Sequence, residues 1–296
     1  MKARFVVPLL TLFLLTGCSS APKQAVELFT LRNNAESQLE LANREADRGN
    51  YEGALELWTE ARRLAVASDD PALLVRTDLS RGNIFFYQGL TTEAAEAWNA
   101  ALTEAERAGN GELAAISRIY ISRGKMLGRG ANAGASSTDM AELITQVNRD
   151  MAAIKTDTLS VALGWTVIGL AEKESRHWAA AETAIKKALD IHVKGTALEQ
   201  AAYDWYLIAS VRSVAGDYQA ALDALTEALG YDRRAENTQG LGMDWKAMGD
   251  VYTKMGNTTE AAAAHSRSAE ILRSIGLKSA GLKSAGLKSA GLKSAD

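Results

Sequence analysis

Tryptophan returns along this chain at a fixed interval. Trp165, Trp205 and Trp245 stand 40 residues apart, and each is followed 16 residues later by an alanine, Ala181, Ala221 or Ala261. A large apolar anchor repeated at that period does not describe one central core. It describes a single supersecondary unit built again and again, each copy burying its apolar face on the next. The framework continues upstream as Gly82-x2-Phe85 with Ala94, and as Ala42 with Ala54. Only Pro8, Pro22 and Pro71 occur among 296 residues, so no proline interrupts a helix beyond position 71. With alanine and leucine dominant, the expectation is an all-α chain.

Within each unit the local signals are those of a helical hairpin. Gly49-Asn50-Tyr51, Gly216-Asp217-Tyr218 and Gly256-Asn257 read as turns. Glycine supplies the left-handed residue that ends one helix, and Asn or Asp caps the next. Small residues at Ala42, Gly82, Gly124, Gly169, Ala209 and Gly249 predict close helix approach. The segments Trp165-x2-Ile168-Gly169 and Trp245-x2-Met248-Gly249-x2-Tyr252 resemble the tetratricopeptide repeat, TPR, in its longer variety of about 40 residues. The resemblance implies a right-handed α-solenoid of about six hairpins, at 35–70, 71–110, 112–156, 158–195, 197–236 and 238–275. His265 and Ser268, in place of apolar residues, predict a polar outer face on the last unit.

The ends of the chain carry a different message. Lys2 and Arg4 precede an apolar stretch from Phe5 to Leu15, too short to span a bilayer core of about 30 Å. Leu15-Thr16-Gly17-Cys18 then resembles the lipobox of bacterial lipoproteins. The resemblance implies a signal peptide over 1–17, diacylation of Cys18, and a lipidated tether over 18–34. Without aspartate after the cysteine, the outer membrane facing the periplasm is the implied destination. Cys18 is the single cysteine, so no intramolecular disulfide can form. Residues 276–296 are four copies of GLKSA and a final aspartate, read as a low-complexity flexible tail with a cationic contact as the alternative.

Charge and chemistry narrow the functional class. The body from 18 to 275 carries a net −8, which argues against a nucleic acid partner. His177, His192 and His265 lack metal-ligand spacing, and His192 reads as a helix-surface residue. No cofactor fingerprint or catalytic motif stands out, so the expectation is a protein that is not an enzyme and needs no cofactor.

In the TPR resemblance the first helices line a groove. Carried onto this chain, the groove positions are Arg76, Asn83, Phe86, Arg118, Ile121, Lys125, Lys173, Tyr203, Tyr206, Ser210, Lys246 and Asp250. The unusually long segment 128–138 of the third unit is a further candidate. The reading is a membrane-anchored scaffold or adaptor for other periplasmic or outer-membrane proteins and peptides, with oligomeric state open. The alternative is an accessory of a TRAP-type transporter that binds a small ligand or the solute-binding protein. A closed pore lined by Trp, Leu and Ile would favour that alternative.

Overall fold

The computed structural model describes residues 30–128 and 137–275. The Cys18 lipid site, residues 129–136 of the long third-unit segment and the GLKSA tail lie outside the described residues. What is described is helical and falls into six consecutive hairpins. They are α1 (Thr30–Asp47) with α2 (Tyr51–Ala67), α3 (Pro71–Tyr87) with α4 (Thr91–Arg107), and α5 (Gly111–Gly128) with α6 (Ser137–Ala153). Then follow α7 (Thr158–Glu174) with α8 (Trp178–Lys194), α9 (Leu198–Ala215) with α10 (Tyr218–Ala235), and α11 (Thr238–Met255) with α12 (Thr258–Ser274). The chain is an all-α solenoid of TPR-like hairpins. Its first helix begins at Thr30, so the last residues of the expected tether belong to the folded body. Among the described residues no helix is long and apolar enough to cross a membrane.

One turn serves almost every junction, within hairpins and between them. The second or third residue after the helix donates its N–H to a carbonyl five residues back, as in Asn50 to Glu45, His177 to Glu172 and Ala197 to His192. That 6→1 bond requires a left-handed residue between. Gly49, Gly89, Gly109, Gly216 and Gly256 meet the requirement with φ from 65° to 89°. At four junctions Asp69, Arg176, Thr196 and Glu236 adopt positive φ instead, where side chains cost energy. Asn50, Asp70, Asp157, Asp217 and Asn237 cap the following helices by accepting the third N–H. Asn257 sits at a cap position too, but its side chain makes no capping bond.

The two helices of a hairpin are packed differently. α1 touches α3, α3 touches α5, α5 touches α7, and α9 touches α11, whereas no two second helices are in comparable contact. First helices therefore form an inner row, in which α7 and α9 meet through the side chains of Thr166 and Asp204 and of Lys173 and Ser210. α7 and α9 bury ten residues each, against six in α8 and seven in α10. Trp98 is the largest fully buried side chain, at 1% exposure. Its indole donates to the Leu79 carbonyl at 3.3 Å and meets the rings of Phe86 and Tyr120. Gly82 and Gly124 flank it, and a Cβ on either would run into the indole. These glycines make room for a side chain, where the sequence suggested close backbone approach.

Polar residues are buried between the helices of a hairpin as well. Ser268, expected on a polar outer face, is 4% exposed and donates to the Gly242 carbonyl at 2.6 Å. The last hairpin thus uses serine as an internal tie between α12 and α11. His265 is partly exposed, with its ring against Gly249 and its Nε2 3.6 Å from Asp250.

Candidate functional site

The inner row curls until its two ends line one cavity of about 560 Å³. Asn43 and Asp47 of α1, Asn83 and Tyr87 of α3, Tyr120 and Arg123 of α5, and Leu163 and Thr166 of α7 form part of the wall. Tyr203, Asp204 and Tyr206 of α9, and Met243 and Asp244 of α11, complete it with Glu199 and Asp232. That volume lies inside the range of about 300–1,000 Å³ usual for ligand pockets.

The cavity is electrically graded. At one end the Arg123 guanidinium lies over the rings of Phe86 and Tyr87, at 4.8 and 5.8 Å from their centroids, and donates to Asn83 Oδ1 at 3.4 Å. Tyr203 stacks on Tyr206 with ring centroids 6.2 Å apart, forming an aromatic wall. Burial pushes the Tyr203 phenol up to about 12, while the charge of Arg123 pulls it the other way. Beyond Tyr206 the wall turns acidic. Desolvation against the cavity wall, reinforced by the charge of Glu199, lifts the Asp47 carboxyl to about 6. Asp232 is lifted to about 7 by burial, which outweighs the hydrogen bond from Asn237. Asp244 goes well above the ordinary aspartate range, through burial and then the charge of Asp232.

A third cluster ties three helices together in the wall. His192 of α8 is 7% exposed, with Nδ1 2.6 Å from Asp204 Oδ2 of α9, while Thr166 of α7 reaches Asp204 Oδ1 at 3.4 Å. The surface position expected for His192 is therefore corrected: the histidine faces inward to meet a fully buried carboxylate. Among the described residues no group of three or more His, Cys, Asp or Glu is placed to hold a metal ion.

The groove positions proposed from the sequence fall into three sets. Asn83, Tyr203 and Tyr206 line the cavity, although Tyr206 is only 7% exposed. Phe86 does not: it is 1% exposed and packs against Trp98. Ser210 is fully buried and accepts from Lys173 Nζ at 2.7 Å, which places both on the packed face of the inner row. Arg76 pairs with Glu36 at 3.6 Å, Arg118 with Asp150 at 2.8 Å, and Lys246 with Asp250 at 2.8 Å, all away from the cavity. Lys125 is exposed, Ile121 is half-buried, and neither lines the cavity.

Sequence reading missed Asp47, Arg123, Glu199, Asp232 and Asp244. One signal was available, because the 40-residue spacing that aligns the tryptophans also aligns Asp204 with Asp244 and His192 with Asp232.

The sequence matches no family model, and no curated protein matches it. The fold defines the class: a TPR-like helical repeat protein, and solved structures of that kind resemble it. A Rap protein complexed with competence and sporulation factor superposes with a TM-score of 0.58 at 11% identity, over 82% of this chain and 76% of that one. The apo form of RapI gives 0.54 at 12% identity, over 81% and 66%. Aspartyl phosphate phosphatase F from Bacillus subtilis gives 0.50 at 10% identity, over 82% and 71%. Likeness at such identities concerns the fold alone.

Proposed function

We propose that this chain is a lipid-anchored adaptor of the bacterial envelope that holds an extended segment of another protein inside its curled inner row. The observation that carries the reading is the cavity itself. Six first helices are spent on enclosing about 560 Å³ lined by tyrosines and charged groups. A folded partner presents a far larger face, about 800 Å² in a standard interface, so the space suits a terminus or a loop. Tyrosine and arginine are among the residue types enriched where such contacts are anchored. A neighbour of the same architecture is described in complex with a factor, which supports the idea that this curl accommodates a partner. The lining carries buried acids with raised proton affinity but no nucleophile–base–orienter arrangement, so binding without catalysis is the reading.

Lipidation rests on Leu15-Thr16-Gly17-Cys18. Two acyl chains on one cysteine hold a protein at a membrane far better than a single chain. The transporter-accessory alternative draws on the ligand-sized volume and on Ile84, Leu127, Leu159, Leu163 and Leu170 in the wall, but among the described residues no tryptophan lines it, and tyrosines and charged groups interrupt the apolar surface.

Two variants test the proposal in cells. Cys18→Ala should abolish palmitate labelling and release the protein from the outer-membrane fraction; persistent labelling contradicts the anchor. Gln200→Trp places an indole at an exposed position of the cavity wall and should abolish co-purification of the partner with helical content unchanged. Undiminished co-purification contradicts the cavity as the binding site.

A further inference from the structure

Two consecutive repeats place an aspartate and its neighbour in the same way, but the neighbour is a histidine in one and a second aspartate in the other. His192 of α8 and Asp204 of α9 are 12 residues apart; Asp232 of α10 and Asp244 of α11 occupy the same positions 40 residues later. In the first pair the imidazole Nδ1 is 2.6 Å from the carboxylate. In the second an aspartate stands where the histidine was. Asp232 is accommodated: Asn237 Nδ2 donates to its Oδ1 at 2.9 Å, and Gly240 leaves room that a Cβ would fill. Asp244 is not. It is 2% exposed and lines the cavity; its carboxyl is bonded through a shared proton to that of Asp232, and no N–H donor reaches its buried Oδ2.

Two buried carboxyls that share a proton cannot both ionise without an added cation, and the surroundings sharpen the demand. Glu199 of α9 adds negative charge at Asp232, the α12 side chains against α11 here are Leu272 and Ser268, and the opposing charge at Asp244 is the exposed Arg233 of α10. We infer that the acidic end of the cavity is a recognition subsite for an organic cation, a primary ammonium or guanidinium on an extended peptide, which occupies at Asp244 the place His192 holds at Asp204. The arrangement does not suit a metal ion, whereas a cation carrying several N–H donors satisfies both carboxylates at once. A bound cation also draws Asp232 and Asp244 to ionise, so binding near pH 6 expels a proton.

The inference rests on the proposed binding of a segment in this cavity. The lysine has two sources, a separate protein or the four lysines at 278, 283, 288 and 293 of this chain. The tail follows α12 directly, and Leu272 of α12 meets Gly242 two residues from Asp244.

The experiment is calorimetry on the full chain, wild type and with the four tail lysines changed to glutamine. The probe is the blocked pentapeptide Gly-Leu-Lys-Ser-Ala; its twin carries norleucine for lysine. The lysine peptide should bind about tenfold more tightly than its twin, with proton release at pH 6 that shows as a buffer-dependent heat. Asp244→Asn should remove both the preference and the proton release. Tighter binding to the glutamine-tailed chain than to wild type identifies the chain's own tail as the cation donor, and equal binding identifies a separate chain. Equal affinity for the two peptides, or a preference that survives Asp244→Asn, overturns the subsite. If neither peptide binds while the partner still fails to co-purify with Gln200→Trp, the subsite alone is lost. If Gln200→Trp also leaves co-purification intact, the proposed function falls with it.

Discussion

Thr196 holds a left-handed conformation, φ 57°, at the junction between α8 and α9, although a β-branched residue is poorly suited to it. Glycine at the equivalent point of other junctions relieves that cost but loses more entropy on folding. The balance favours glycine, and Thr196→Gly should raise stability by about 0.5–1 kcal/mol, read as a higher denaturation midpoint. Asp232 and Asp244 give the opposite kind of strain, in charge. Both, with Asp47, hold their protons more tightly in the folded chain than an aspartate does in the unfolded one. The stability they confer is complete below about pH 4 and drains away as pH rises through 6 and 7. Glu182, held at about 2 chiefly by the hydrogen bonds of Arg212, works the other way, but only on the acid side of that window. Thermal unfolding should therefore show a higher midpoint at pH 5 than at pH 8, with a smaller difference in Asp244→Asn.

Between elements, the polar link from α7 through Asp204 to His192 shows what a sequence period reveals and what it hides. The tryptophans, alanines and glycine turns declared the hairpins, because apolar anchors at a fixed spacing leave few alternatives. The spacing also marked Gly82 and Gly124 as close-approach positions, but what they accommodate, the Trp98 side chain, was not legible in it. His192 looked like a surface residue because amphipathic reasoning assigns polar residues outward. That rule fails for His192 because α9 packs directly on α8 and brings the Asp204 carboxylate to its ring, and on α9 itself Asp204, Ser210 and Ser213 are all buried. His192→Leu should cost about 3–5 kcal/mol by leaving the Asp204 carboxylate buried without its main partner. His192→Leu with Asp204→Leu should recover most of that loss, so the double variant's unfolding midpoint should lie above that of His192→Leu alone. Trp98→Ala, which empties the space between two hairpins, should likewise cost about 3–5 kcal/mol in denaturant unfolding.

At the scale of the molecule, the decisive feature is the curl, which a local reading of the sequence does not contain. Asp47 and Glu199 lie 152 residues apart in the chain and still feel each other's charge across the cavity. No single repeat carries that closure; it accumulates from small rotations between neighbours. Tyr203 and Tyr206 were legible as candidates because they fall on a first helix, but their acidic and cationic companions come from other hairpins. The central claim is that a partner's extended segment occupies this cavity. Site-specific photocrosslinking in intact cells tests it most directly, with the photoreactive residue at position 203 or 163 inside the cavity, and at exposed Val66 or Val193 as outer-face controls. The account predicts a discrete adduct from the inner positions alone, mapping by mass spectrometry to a short lysine- or arginine-bearing segment. Adducts from the outer positions with none from 203 or 163 would contradict it.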